Sequence, residues 1–98
     1  MWLKVRRLNC FGLMFRRRQK LPVLIKRVGS GTITTWFVFH SIDLAFLDVN
    51  GIVLEKVSFL KSWRTYKPKC AHSFVVEAQG GHLYNINRGD RIDLEIVP

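Results

Sequence analysis

The sequence predicts a small all-β domain, an antiparallel β-sandwich or partly closed barrel of jelly-roll type. Three observations lead there. Six or seven short apolar segments recur at a spacing of about 8–12 residues, with turn residues between them. Asn50-Gly51 separates two of these segments and is a strong hairpin signal. Residues 92–96 alternate strictly, with Ile92, Leu94 and Ile96 against Asp93 and Glu95, which marks a strand with one wet face. No segment keeps a helical period long enough for a βαβ unit, so one or two short helical turns at most are expected.

From the N-terminus, residues 2–8 place Leu3 and Val5 between cations and read as an edge strand. Residues 10–20 lack β-branched side chains and read as a turn or short helix. Pro22 opens an element over residues 23–28, which Gly29-Ser30-Gly31 closes. Residues 32–39 are rich in Thr, Ile, Val and aromatics, a strand composition. The run from 42 to 49 is apolar at nearly every position and is expected to be buried on both faces. Asn50-Gly51 favours a type I′ turn joining residues 43–49 to 52–58. Residues 59–71, with Trp63, Tyr66, Pro68 and four cations, read as a long surface loop. Residues 74–78 form a strand and 80–87 a loop or helical turn. Arg88-Gly89-Asp90 then turns the chain into the strand over 91–97.

The 98 residues suit one domain, 1–98. Nearly half, 48%, are apolar and seven are Phe, a composition that excludes intrinsic disorder. No apolar run reaches the roughly 18 residues of a membrane span, and none near the start suits a signal peptide. A cytoplasmic protein without a membrane role is the expectation. Cys10 and Cys70 form no Cys-x-x-Cys pair, so both are expected to be small buried hydrophobes.

Charge is segregated along the chain. The net charge is +9, and nine cations precede Asp43, the first acidic residue: Lys4, Arg6, Arg7, Arg16, Arg17, Arg18, Lys20, Lys26 and Arg27. Beyond position 40, seven cations meet seven anions. Such a distribution points to a basic face for nucleic acid or an acidic protein surface. Arg16, Arg17, Arg18 and Lys20 could grip phosphates through planar, two-pronged hydrogen bonds. Trp63, Arg64, Tyr66, Lys67 and Lys69 mix aromatics with cations, as single-strand binders do when they stack bases and neutralise the backbone. Neither segment matches a known nucleic-acid motif, and a solvated basic face is the competing account.

Other constellations are weaker. His40, Cys70, His72 and His82 lack the spacing that would enforce a tetrahedral zinc site, so neither metal nor cofactor is expected. Asp48 and Asp90 sit where side chains stabilise turns. Asp43 opens an apolar strand, and if buried it needs a partner, an Arg by preference. With Trp36 and Glu77 it could line a pocket for a small ligand or a hydrolytic reaction, though no residue is assigned a catalytic role.

Several segments together carry a family likeness: Gly12-Leu13-Met14-Phe15-Arg16, then Ile42-Asp43-Leu44-Ala45-Phe46-Leu47-Asp48 with Gly51, then Val75-Val76-Glu77 and Gly89-Asp90. In this order the chain resembles domain of unknown function 192 from about position 11 to 96. Leu60-Lys61-Ser62-Trp63-Arg64-Thr65-Tyr66-Lys67-Pro68 is similar to its archaeal branch. The resemblance implies a compact β-sandwich-like fold and no agreed activity. Many members carry Met-x-Asn-Thr and a Pro where this chain has Trp36-Phe37-Val38-Phe39 and Ser41, so any site there is altered.

Overall fold

The structure is a computed structural model and describes residues 2–7, 22–29, 32–35 and 39–97. Its strands are β1 (Trp2–Arg7), β2 (Val23–Gly29), β3 (Ile33–Thr34), β4 (Ile42–Leu47), β5 (Val53–Leu60), β6 (Thr65–Tyr66), β7 (His72–Gln79) and β8 (Asp93–Val97). Among the described residues there is no helix. Six strands form one sheet in the order β5-β4-β7-β2-β1-β8, and β3 pairs with β6 in a second.

β4 is the centre of the packing. Every residue of it is buried, and it pairs antiparallel with both β5 and β7. One face places Ala45 and Leu47 with Val5, Leu24, Val76, Leu83 and Ile86. The other places Ile42, Leu44 and Phe46 with Ile33 and Val75, and Tyr66 packs against them from the small sheet. Two cores thus draw on alternate residues of one strand, which is why the run is apolar at every position but Asp43.

The large sheet curls until its ends meet. Ile52 bridges to Arg91. The Val53 N–H donates to the Asp90 carbonyl at 2.8 Å, and the Gly89 N–H to the Val53 carbonyl at 2.8 Å. The start of β5 therefore meets the residues leading into β8, at the far edge. Partial closure of this kind encloses the larger core.

Three details differ from expectation. β1 is an interior strand, parallel to both β2 and β8, so the sheet is mixed. Its alternation, with Val5 buried and Lys4 exposed, reports which face is wet and not whether a strand lies at an edge. The hairpin joins β4 to β5 as expected, but not through a type I′ turn. Only Gly51 takes a positive φ, +83°, while Asn50 does not. The Asp48 carboxylate accepts the Asn50 and Ile52 N–H groups at 2.8 and 3.0 Å, and this local ring shifts the turn one residue earlier. A side chain at Gly51 would also collide with the Ile92 carbonyl, 2.5 Å from a Cβ placed there. The third difference is Cys70. It is exposed on a bend, and the neighbouring Pro68 is buried in its stead; Cys10 lies outside the described residues.

Elsewhere the expected long loop over 59–71 contains β6, and β5 runs on to Leu60. Before and within β8, Ile92 is buried and Glu95 exposed, but Leu94 and Asp93 are both half-buried, so the alternation is graded and not strict. No helix among the described residues is long and apolar enough to cross a membrane.

Candidate functional site: the Asp43 clip and the basic loop

Asp43 is 1% exposed. No Arg meets it among the described residues, contrary to the expected ion pair. Three backbone amides satisfy it instead. Oδ1 accepts the Phe59 N–H at 2.9 Å, and Oδ2 accepts the Gly81 and Leu83 N–H groups, each at 3.0 Å. β5 bulges opposite Asp43, since pairing runs from Ile42↔Leu60 to Leu44↔Val57. The extra residue frees the Phe59 N–H from the ladder and leaves Phe59 in the left-handed region, φ 54°. Gly81, φ +89°, turns the chain after β7 so that its own amide faces the carboxylate. Asp43 thereby clips β5 to the turn that follows β7. A carboxylate filled by three donors is suited to holding the fold, and less so to acid–base work.

Glu77 is also buried, 6% exposed, but it is not brought to Asp43. In the regular β4–β7 ladder Asp43 faces Ala78 and Leu44 faces Glu77. Ala78 and Leu44 belong to different cores, so the two carboxyl groups point to opposite faces of the sheet. Trp36, the third residue of that expected pocket, lies outside the described residues.

The aromatic–basic loop is well defined. Ser62-Trp63 forms a turn between β5 and β6, held from beneath by Thr35, which is fully buried. The Thr35 hydroxyl donates to the Lys61 carbonyl at 2.6 Å and accepts the Arg64 N–H at 2.7 Å. The Trp63 N–H donates to the Thr35 carbonyl at 3.1 Å. Trp63 is 47% exposed, takes φ 60° and meets Phe39 edge to face at 6.4 Å. Lys61, Arg64, Lys67 and Lys69 are all exposed. Tyr66 departs from the group. Its ring stacks on Phe46 at 5.9 Å and its hydroxyl donates to Glu55, so it packs inward and offers no platform to a base. Arg16, Arg17, Arg18 and Lys20 lie outside the described residues. Thr35 joins this region without any motif to announce it.

Among the described residues, no three His, Cys, Asp or Glu side chains gather as a metal site. His72 is buried edge to face against Phe46, with Nδ1 3.3 Å from the Cys70 carbonyl, and His40 Nδ1 lies 3.0 Å from the Ser41 carbonyl. His82 is exposed on the turn after β7. Asp90 accepts the Asn87 N–H at 2.8 Å, the turn role expected of it.

No family model matches the chain. The UPF0127 protein PH1112 of Pyrococcus horikoshii is 35% identical over 89 residues, covering 86% of this chain and 76% of that protein. The UPF0127 protein PYRAB11210 of Pyrococcus abyssi is 35% identical over 90 residues, covering 87% and 76%. Among solved structures, a protein of unknown function from Novosphingobium aromaticivorans superposes with a TM-score of 0.75 at 18% identity, covering 89% of this chain and 70% of that one. A "putative transcription regulator" from Sinorhizobium meliloti superposes with a TM-score of 0.79 at 16% identity, covering 89% and 78%. At such identities the likeness is one of fold.

Proposed function

The chain belongs to the UPF0127 family, whose function is unknown, and from that premise we propose that it is a cytoplasmic, non-enzymatic binding module for a polyanion, nucleic acid before an acidic protein surface. We also assign it to domain of unknown function 192, on the motifs quoted above. One observation carries the binding reading. Trp63 is held half-exposed in a left-handed backbone, with Lys61 and Arg64 exposed close by in the chain and Lys67 and Lys69 exposed farther along the same segment. A bulky residue in that conformation costs on the order of 1 kcal/mol or more, and such strain concentrates at functional sites. An indole beside several cations suits a single-stranded chain, whose bases stack while its phosphates are neutralised. The basic run Arg16–Arg18 with Lys20 would extend the same attraction. The name of the Sinorhizobium neighbour links that protein to transcription, which is compatible with testing nucleic acid first.

Fluorescence anisotropy with labelled single- and double-stranded oligonucleotides across a salt series tests this. Binding should be weakly sequence-specific, because phosphate contacts hold no base information. For single strands, log K should fall against log salt by about 0.7 per phosphate neutralised. Replacing Arg16, Arg17 and Arg18 together by Ala should flatten that slope by about 2 units. Absence of binding at low salt would sink the nucleic-acid reading.

A further inference from the structure

A second basic feature lies apart from the Trp63 turn. A pocket of about 310 Å³ straddles β5, bordered by Glu55, Lys56, Tyr66, Lys69, Cys70 and Arg88. That volume is at the lower end of the roughly 300–1,000 Å³ of small-ligand sites. Three segments distant in sequence supply its cations: Lys56 from β5, Lys69 from the bend before β7, and Arg88 from the turn before β8. The Arg88 turn is fixed in place by the Gly89 N–H bond to the Val53 carbonyl. Among the described residues, none of these three side chains makes an ion pair. The single carboxylate at the rim is engaged on both oxygens. Glu55 Oε2 accepts the Tyr66 hydroxyl, and Oε1 accepts the Lys69 backbone N–H at 2.8 Å. Glu55 thus ties the Lys69 segment to the pocket, and its single charge against three cations leaves the rim net positive.

We propose that this pocket binds a phosphate-class dianion, held by Lys56, Lys69 and Arg88. Arg88 offers a planar pair of N–H donors and the two lysines offer compact point charges, a combination matched to a tetrahedral oxyanion. The half-open pocket is large enough for a phosphate or a small phosphate ester and too small for a folded polyanion. The inference shares Lys69 with the oligonucleotide reading but is separable from it, because Lys56 and Arg88 take no part in the Trp63 loop.

The test is two-dimensional amide NMR of the full chain titrated with inorganic phosphate, with chloride at matched ionic strength as reference. Saturable shifts should concentrate at Glu55, Lys69 and Gly89 with phosphate and be absent with chloride. Lys56→Gln and Arg88→Gln should each weaken phosphate affinity by about three- to tenfold, the modest range reflecting partial exposure of these groups. The triple Arg16, Arg17, Arg18 to Ala variant should leave it unchanged. A parallel titration with a nucleoside 5′-monophosphate separates sources: tighter binding of the ester assigns the site to esterified phosphate, tighter binding of phosphate to the free ion. Diffuse, non-saturating shifts, or full affinity in the folded Lys56→Gln, Arg88→Gln double variant, would overturn the proposal. Neither result depends on whether oligonucleotides bind.

Discussion

Two residues other than glycine hold a left-handed backbone among the described residues, Phe59 at 54° and Trp63 at 60°, only four positions apart. Both are held by a buried polar side chain from another segment. At Phe59 the anchor is the Asp43 carboxylate, which also takes two amides from the turn after β7. At Trp63 it is Thr35, which fixes the Lys61 carbonyl and the Arg64 N–H on either side. The consequences differ. Around Asp43 the strained backbone and the charge are both satisfied by the chain itself, and the result is a closed joint. Around Thr35 the backbone is satisfied, yet the indole and the cations are directed outward. A buried charge with all its donors inside the protein is evidence of architecture. Exposed charges beside a strained, well-anchored turn are what the proposed binding role rests on.

The largest expected effect separates the two regions. Asp43→Ala strands three amide donors, and at about 1–3 kcal/mol for each buried unsatisfied group the loss should reach about 3 kcal/mol or more. Urea denaturation would measure it, and that is a large share of the roughly 5–15 kcal/mol that domains possess. A loss below about 1 kcal/mol would show that the clip is incidental. Next comes Thr35→Val, which keeps the shape and removes the hydroxyl. It should cost about 1–3 kcal/mol and also weaken single-strand binding, by loosening the Trp63 turn. Unchanged binding would separate the anchor from the function. The smallest effect is the most diagnostic. Trp63→Gly relieves the left-handed strain but adds unfolded-state entropy and gives up the contact with Phe39, so these opposed effects should leave stability within about 1–2 kcal/mol of the parent. Affinity for a single-stranded oligonucleotide should nevertheless fall, by about 1–3 kcal/mol. A clear loss of stability without loss of affinity would make Trp63 a packing residue.

What the sequence made legible follows from range of interaction. The β4–β5 hairpin could be read because its determinants, Asp48 to Gly51, are adjacent in the chain. Burial of β4 on both faces could be read because a run without alternation leaves no wet side. The exact turn escaped, because the Asp48 side chain competes with the intrinsic preference of Asn-Gly. The partners of Asp43 escaped for a deeper reason. They are backbone amides 16 to 40 positions away, and an amide has no letter in the sequence. Glu77 and Asp43 looked like neighbours because both are acids in apolar strands; only the register of β4 against β7 shows that they face apart. The interior place of β1 likewise depends on pairing with β8, from the other end of the chain.

The bulge at Phe59 has a bearing on how this protein keeps to itself. β5 terminates the large sheet, and beyond its first residues it has no neighbour on its outer side among the described residues. A long, flat strand in that position is a template on which a second copy could add, the first step toward aggregation. Here the strand is broken near its end by the Asp43-held bulge and bears Glu55 and Lys56 in its middle, so an incoming strand finds neither a straight row of donors and acceptors nor an uncharged surface. The carboxylate that holds the joint closed therefore also keeps this edge from offering a second copy a regular template.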